Sequence, residues 1–477
     1  MTYMSKTIVE LRAMLDKGEI TEETLFNEAK ELAYKYQDVD NSFVTILNNY
    51  EFDNSNKSVI SGIPYALKDN FSTKGILTTG SSNILKNYIP VFNSTVYEKL
   101  KNAGGILVGK TVLDELAVGG SGISGHTGIV KNPWDKERLI GGSSAGSVAA
   151  VVRGIVPFAI GSDTGDSIRK PAGWGGIIGY KPTYGLISRH GLFAFASSMD
   201  HVGTLTRTIK DVAPLLDILK GKDKNDMVTY DDNTNYSKEL TKNVNDKKMF
   251  YVKEFSDAIK INSDIYDNFI ETLEKLKSLG IEVCEVSIDK DLLKSIYPAW
   301  FAIACAEATS NNSNLTGILF GTREEGNSVD EIIFNSRTKG FSEFIKRRFI
   351  IGSYVLQREN QEKLFKNAGR IRRMVVDKIN DLFKEYDAFI MPVDIDIAPR
   401  FDDKIDKLSD EYLVLNQAMS IGNFGGFPSL TIPSGMVRDM PVAVNITGPV
   451  KKDLDVLNIG YALEEKINFK YFTERGE

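Results

Sequence analysis

Histidine and cysteine are scarce in this sequence of 477 residues. It contains three histidines, at positions 126, 190 and 201, and two cysteines, Cys284 and Cys305. A zinc site built from Cys and His needs roughly four such ligands at close spacing, and a disulfide framework needs several cysteine pairs. The sequence therefore predicts neither a metal site nor disulfide bonds, and the chemistry must come from serine, lysine, carboxylates or the backbone.

Excess positive charge and long apolar runs are missing too. The 58 Lys and Arg residues face 64 Asp and Glu residues, a net charge of -6, so no chain-wide basic field could hold nucleic acid. The N-terminal segment is charged and has no apolar stretch of signal-peptide type, and no uninterrupted apolar run reaches the roughly 18 residues of a membrane span. We expect a cytoplasmic protein with free thiols, no membrane contact, and RNA contacts that are local or made by a partner.

Apolar patterning predicts an α/β fold with a central mixed β-sheet covered by helices on both faces. Apolar residues recur every three or four positions near the N-terminus, whereas short apolar runs alternate with helical stretches from Ile63 onward. We expect one large domain over residues 1–477. Its predicted parts are N-terminal helices at about 5–36, a core at about 60–210, a polar surface excursion at about 220–248, a helix-rich substrate lobe at about 260–385, and C-terminal strands with a helix at about 386–470.

Two clusters of glycine and serine bracket a helix-then-strand pattern, at residues 141–147 and 162–167. They could meet at one edge of the sheet, where successive backbone N–H groups form a concavity suited to an oxyanion. This is what acyl transfer requires. A flexible connection remains an alternative, and so does a triad using His190 or His201, although the GxSxG motif is missing. The lysine of a phosphate-binding P-loop is absent as well.

A lysine base is available upstream, since Lys68 ends the apolar strand of residues 63–68 next to Asp69. Burial disfavours the charged ammonium, and a neutral lysine can accept a proton from a serine hydroxyl. Most lysines at strand ends are solvated, so the local sequence alone leaves a structural role open.

Four segments together resemble the amidase signature family: residues 64–70, 141–147, 161–172 and 179–207. The resemblance runs over nearly the whole chain. It implies a catalytic triad in which Lys68 is the base, Ser143 is a bridging serine after a cis peptide bond, and Ser167 is the nucleophile. It also implies an oxyanion hole formed by the backbone N–H groups of Thr164, Gly165, Asp166 and Ser167.

Within that family, residues 111–135, 301–321 and 336–354 look like the A subunits of tRNA-dependent glutamyl and aspartyl amidotransferases. This resemblance implies that the chain hydrolyses glutamine and passes ammonia to a B subunit, in a heterotrimer with a C subunit. It further implies that Glu-tRNA(Gln) is bound through the B subunit, that ATP and magnesium belong to the partner, and that this chain carries no cofactor.

The same resemblance implies substrate contacts. Arg348 would hold the α-carboxylate of glutamine, because a guanidinium binds a carboxylate with two parallel hydrogen bonds. The loop Gly119-Gly120-Ser121 would line the pocket. Without the resemblance, the sequence around Arg348 indicates a solvated basic turn on a helix.

The sequence departs from the family pattern at two positions. Asp166 stands where a glycine is usual before the nucleophile, and we expect its carboxylate to turn away from the pocket, towards Arg169 or Lys170. Asn416 stands where an aspartate commonly binds the α-ammonium of glutamine. An amide accepts a hydrogen bond but supplies no net charge, so glutamine affinity could be weaker or the substrate different. A stand-alone amidase acting on another small amide and an inactive scaffold remain alternatives.

Overall fold

Eleven strands form one mixed sheet in the computed structural model, which describes residues 2–50, 52, 58–404 and 406–474. Along the sheet, the strand order is β1-β3-β2-β4-β6-β5-β10-β11-β9-β7-β8. The strands are β1 (Phe43–Ile46), β2 (Pro64–Lys68), β3 (Ile106–Thr111), β4 (Phe158–Asp163), β5 (Ile178–Lys181), β6 (His201–Thr206), β7 (Lys248–Val252), β8 (Glu282–Val286), β9 (Ala388–Pro392), β10 (Ser429–Val437) and β11 (Met440–Thr447).

Eighteen α-helices accompany the sheet within the described residues. They are α1 (Ile8–Asp16), α2 (Glu22–Asp40), α3 (Thr95–Asn102), α4 (Ala145–Val152), α5 (Arg169–Gly175), α6 (Ile209–Leu219), α7 (Tyr236–Glu239), α8 (Lys253–Ile259), α9 (Ser263–Ser278), α10 (Lys290–Lys294), α11 (Ile296–Asn311), α12 (Val329–Gly340), α13 (Glu343–Leu356), α14 (Arg358–Gln361), α15 (Asn367–Leu382), α16 (Asp410–Leu415), α17 (Ile421–Phe424) and α18 (Asp453–Ile467).

The two helices predicted near the N-terminus are confirmed as α1 and α2. Helix α1 begins with a capping box, in which the Thr7 side chain accepts from the Glu10 N–H and the Glu10 carboxylate accepts from the Thr7 N–H. Helix α2 ends at Asn41 in the left-handed conformation. Their apolar faces supply buried residues to the core, as the three- and four-residue spacing predicts.

Parallel pairing brings the site residues to one edge of the sheet. Strand β2 pairs in parallel with both β3 and β4, whereas β6 pairs antiparallel with β4 and β5. The carboxyl ends of β2 and β4 therefore lie side by side, and these ends carry Lys68 and Asp163. The mixed character of the sheet is confirmed. The antiparallel insertion of β6 between β4 and β5 is not an arrangement that the sequence predicts.

Helices cover both faces of the sheet, as neighbouring residues of β10 demonstrate. The hydroxyl of Ser429 lies 3.2 Å from a guanidinium nitrogen of Arg169 in α5. The side chain of the next residue, Leu430, packs against Gly460 of α18, so closely that a Cβ added to Gly460 would lie 2.2 Å from it. Because successive strand residues face opposite sides, α5 and α18 pack on opposite faces. This confirms the predicted α/β class.

Helix α4 is buried along its whole length and is built from small and β-branched residues. A Cβ at Gly146 would lie 2.2 Å from the Ser42 carbonyl oxygen and 2.7 Å from the Val112 nitrogen, so only glycine permits this approach to the strands. The close packing fixes the first turn of α4, and with it the glycine-serine segment at 141–144 that leads into the helix.

The polar segment at 220–248 runs mostly over the surface but is anchored at several points. Tyr236 of α7 is buried, and the carboxylate of Asp226 pairs with Arg189 at 2.9 Å. At the end of this segment, β7 begins at Lys248, and α8 follows it directly from Lys253. In the part of the chain that the structure describes, no helix is long and apolar enough to cross a membrane.

Candidate active site

Lys68 lies at the centre of a cluster of three serine hydroxyls. Its ammonium nitrogen Nζ is 2.8 Å from Ser143 Oγ, 2.9 Å from Ser162 Oγ and 3.1 Å from Ser144 Oγ. Asn70 donates to Ser162 Oγ over 3.0 Å from the other side. The end of β2 thus holds the lysine in contact with both glycine-serine clusters, which the sequence predicted to meet at one sheet edge.

Burial changes the acid-base properties of Lys68. The side chain is fully buried, and this desolvation lowers the pKa of Lys68 from its ordinary value to about 7. The carboxylates of Asp114, Asp163 and Asp200 oppose the shift by stabilising the ammonium. With a pKa close to neutrality, Lys68 can both accept and return a proton, which is the requirement for a general base that later acts as an acid.

The turn before α4 presents Ser143 to the lysine. The peptide bond between Gly142 and Ser143 is cis, and Gly141 has a φ of +81°. A Cβ on Gly142 would stand 2.1 Å from Asp114 Oδ2, so a larger residue could not lie against this carboxylate. The Asp114 N–H donates to the Ser143 carbonyl over 3.3 Å. Asp114 and the turn therefore form one packed unit.

The loop predicted to line the pocket is tied to the same aspartate. The Asp114 carboxylate accepts hydrogen bonds from the backbone N–H groups of residues 121 to 124 and from the Ser124 hydroxyl. The Gly142 N–H donates to the Gly120 carbonyl over 3.0 Å. These bonds hold residues 119–121 on the wall of a large cavity.

Ser167 lies in the turn between β4 and α5. Its carbonyl accepts from the Ser144 N–H over 3.1 Å, which ties the two serine clusters together. Within the described residues, the Ser143 and Ser167 hydroxyls are not joined by a hydrogen bond. The N–H groups of Gly165, Asp166 and Ser167 likewise donate to no other described group. Three unbonded N–H groups in a buried turn form a concavity able to bind a developing negative charge.

The turn is rigidly supported from behind. The Arg169 guanidinium pairs with Asp163 at 2.9 Å and donates to the Gly165 carbonyl over 2.7 Å. Burial acts to raise the pKa of Asp163, but the charge and hydrogen bonds of Arg169 hold that pKa below its ordinary value. The Thr164 hydroxyl donates to Asp200 over 2.6 Å. The ionised Asp163–Arg169 pair thus fixes the turn that carries Ser167.

A cavity of about 740 Å³ opens in front of this turn. Arg348 of α13 lies on its wall, with the guanidinium over the rings of Phe301 and Phe344 at 4.3 and 4.8 Å from their centroids. Among the described residues, Arg348 has no carboxylate partner. A stacked cation without a counter-ion is suited to bind an anionic ligand group, in contrast to the solvated basic turn that the sequence left open.

Of the two basic residues that the sequence offers to Asp166, the structure pairs it with Lys170. Its carboxylate does face Lys170, with Oδ2 3.7 Å from Nζ, and Arg169 is engaged by Asp163 instead. Asp166 and Lys170 both line the cavity, so this ion pair lies on its wall. Asn416 lines the cavity too, and its side-chain oxygen accepts from Lys170 over 2.7 Å.

The two histidines considered as alternative bases, His190 and His201, contact groups other than the two proposed catalytic serines. His201 is buried, with Nδ1 2.6 Å from the Met199 carbonyl oxygen, and desolvation holds the pKa of His201 well below its ordinary value. His190 contacts Thr95. Within the described residues, neither histidine forms a hydrogen bond with Ser143 or Ser167, and no cluster of three or more His, Cys, Asp or Glu side chains could hold a metal ion.

Sequence reasoning missed three residues of the site. Ser162 belongs to the second serine cluster, but no local pattern marks it as a partner of Lys68. Asp114 lies inside the segment that carries the family resemblance, yet a single sequence gives no sign that its carboxylate gathers four backbone N–H groups. Trp300 of α11 donates its indole N–H to the Thr164 carbonyl over 3.0 Å, a contact between residues far apart in sequence.

The fold, the buried lysine among serines and the adjoining cavity define an amidase. The chain matches the family model described as Amidase over residues 44–457, and it belongs to this family. It is 38% identical over 426 residues to the A subunit of glutamyl-tRNA(Gln) amidotransferase from Thermotoga maritima, covering 89% of this chain and 88% of the relative. It is 36% identical to the corresponding protein of Halothermothrix orenii, covering 97% of this chain and 98% of the relative.

A solved structure agrees with these relatives. The crystal structure of the Thermotoga maritima protein superimposes with a TM-score of 0.82 at 34% identity, covering 98% of this chain and 95% of that one. The resemblance to the family and to its amidotransferase members is thereby confirmed. The roles of individual site residues stay predictions.

Proposed function

We propose that this chain is the glutamine-hydrolysing, ammonia-supplying subunit of a tRNA-dependent amidotransferase that converts Glu-tRNA(Gln) to Gln-tRNA(Gln). The observation that carries the proposed hydrolysis is the 2.8 Å contact between Lys68 Nζ and Ser143 Oγ in a fully buried setting. This contact supplies a proton acceptor without histidine or metal.

In the proposed first step, Ser167 Oγ attacks the side-chain carbonyl carbon of glutamine. The Ser167 proton passes to Ser143 Oγ while the Ser143 proton passes to neutral Lys68. The N–H groups of the turn at 164–167 stabilise the oxyanion, because fixed donors in a buried site need no reorganisation as charge develops.

In the second step, the tetrahedral intermediate collapses. The carbon–nitrogen bond breaks, the amine takes the proton back from Lys68 through Ser143, and ammonia leaves. A γ-glutamyl ester on Ser167 remains. Water then attacks this ester by the same proton route, which releases glutamate and restores the Ser167 hydroxyl. The near-neutral pKa of Lys68 supports both directions of transfer.

Arg348 supplies the proposed contact with the α-carboxylate of glutamine. Its guanidinium is held by two aromatic rings and has no carboxylate partner among the described residues. Gly119, Gly120 and Ser121 line the same cavity and limit the space around the substrate. Asn416 stays a predicted substrate contact, with its oxygen already engaged by Lys170.

The proposed partners follow from relatives matched over almost their full length. We infer a heterotrimer in which a B subunit receives ammonia and binds Glu-tRNA(Gln), and a C subunit joins the complex. ATP and magnesium would act on the partner, and no cofactor is assigned to this chain. The proposed location is the cytoplasm.

The test is a glutaminase assay of the chain alone and with its B and C partners, Glu-tRNA(Gln) and ATP. We expect ammonia release that rises with the complete set, co-purification of the partners, and covalent labelling of Ser167 by an electrophilic glutamine analogue. The variant Ser167→Ala should lose hydrolysis and labelling, whereas Ser147→Ala, a buried serine bonded to Thr111 and not to Lys68, should keep both.

The other two hypotheses predict different results. A stand-alone amidase would turn over many small amides at full rate without partners. A scaffold that lost activity through Asp166 would show neither hydrolysis nor labelling even in the assembled complex. In the latter case, the variant Asp166→Gly would tell whether this residue is the cause.

A further inference from the structure

A second group of charged residues lines the cavity beside the turn that carries Ser167. The Lys170 ammonium lies 3.7 Å from Asp166 Oδ2 and 3.4 Å from Asp394 Oδ2. Lys170 also donates to the carbonyl and side-chain oxygens of Asn416, over 3.1 and 2.7 Å. Two carboxylates thus share one cation, which leaves one negative charge on this part of the wall.

Asp166 is the least satisfied member of this group. The residue is 8% exposed, and its carboxylate accepts no hydrogen bond from any described residue, since 3.7 Å to Lys170 exceeds hydrogen-bond length. A buried carboxylate without a donor is costly unless a ligand or solvent supplies one. Asp166 lines the cavity, so its missing donors can come from a molecule bound there.

Asn416 supplies no net negative charge for a cation, and its oxygen is already engaged by Lys170. Its side-chain oxygen and its carbonyl both accept from Lys170, which leaves the amide nitrogen as the free end of the side chain. An amide nitrogen is a donor and does not bind an ammonium group. On this part of the wall, the negative charge available to a cationic group is therefore that of Asp166 and Asp394.

We propose that Asp166 and Asp394 form a subsite for the α-ammonium group of an amino-acid amide substrate, opposite in sign to Arg348, which lines the same cavity. This inference rests on the proposed function and names its specificity determinant. Asp166 directly precedes Ser167 in the chain, so the subsite adjoins the turn that carries the proposed nucleophile.

The pKa of Asp166 determines whether this subsite is charged at physiological pH. Burial raises the pKa of Asp166 to about 6, Asp163 and Asp394 add to the rise, and Lys170 and Arg169 oppose it. Asp166 is therefore mostly ionised at neutral pH and able to bind an ammonium group.

The experiment compares L-glutamine with glutaramate, the same amide without its α-amino group. Binding to the full chain carrying Ser167→Ala is measured by calorimetry, so that no turnover interferes. We expect glutamine to bind at least about tenfold more tightly, and Asp166→Asn in the same background to remove about tenfold of that preference, as for loss of a charged hydrogen bond. The control Asp396→Asn, whose carboxylate lines the cavity but pairs with Arg438, should keep the preference.

Equal affinity for the two ligands, or a preference that Asp166→Asn leaves unchanged, would overturn the subsite. Should Asp166→Asn not fold, Asp394→Asn replaces it with the same expected loss. The proposed function is tested separately. A wild-type chain that releases no ammonia from glutamine in the presence of its partners refutes glutaminase activity. In that case, a glutamine preference in binding that depends on Asp166 would still support the subsite.

Discussion

The indole N–H of Trp300 donates to the Thr164 carbonyl over 3.0 Å and joins helix α11 to the turn before Ser167. The same indole lies 2.9 Å from the place where a Cβ on Gly165 would stand, and Gln417 lies 2.7 Å from it. The helix-rich part of the chain therefore contacts the proposed oxyanion hole directly. Any change in how α11 packs reaches the turn through this contact.

The first prediction concerns this contact. Gly165→Ala should lower kcat by at least about tenfold, because the new methyl group must displace the indole or the turn. Trp300→Phe removes one neutral hydrogen bond and should lower kcat by roughly two- to tenfold. The control is Trp134→Phe, which removes a similar indole bond to the Gly175 carbonyl and should leave kcat near the wild-type value. Equal effects of the two tryptophan variants would contradict the assignment.

A second prediction separates the three serines around Lys68. Ser143→Ala should reduce kcat by about 10² to 10⁴, since the proposed proton route passes through this hydroxyl. Ser162→Ala and Ser144→Ala remove hydrogen bonds to Lys68 without breaking the route, so each should cost only about two- to tenfold. Steady-state ammonia release measures all three. A larger loss in Ser144→Ala than in Ser143→Ala would make Ser144 the bridging serine.

The third prediction is the pH dependence of hydrolysis. The proposed base is neutral Lys68, so kcat should rise with pH and level off above the pKa of about 7. The charge of Asp114 raises the pKa of Lys68, and its removal in Asp114→Asn should shift the midpoint of the profile to lower pH. The thermal unfolding midpoint of Asp114→Asn shows whether the loss of the bonds to the loop at 121–124 has destabilised the fold. Asp377→Asn, an exposed change on α15, should leave the midpoint unchanged.

A fourth prediction tests substrate anchoring by Arg348. Arg348→Lys should raise the KM for glutamine about tenfold with a smaller effect on kcat, because an ammonium cannot make two parallel hydrogen bonds to a carboxylate or stack between rings in the same way. The neighbouring Arg347 is exposed, and Arg347→Lys should leave KM unchanged. The assignment of Arg348 is wrong if both variants behave alike.

The sequence predicts the α/β class and most strands and helices, because local periodicity reports which faces are buried. It also predicts that the two serine clusters could meet at one sheet edge, whereas the place of Lys68 beside them is implied only by the family resemblance. The position of Ser162 against Lys68 depends on the register of β2 and β4, which no local pattern reports. Asp163 pairs with Arg169 and Asp166 with Lys170, a division of partners that is visible only once α5 is folded.

The outermost strand β8 presents Glu282 and Glu285 at exposed positions, and Lys248 of the neighbouring β7 pairs with Glu282 at 3.5 Å. At the other end of the sheet, β1 has only four residues. Charged side chains and short length both discourage an edge strand from pairing with another molecule. A wide sheet with two open ends is in this way protected against edge-to-edge aggregation.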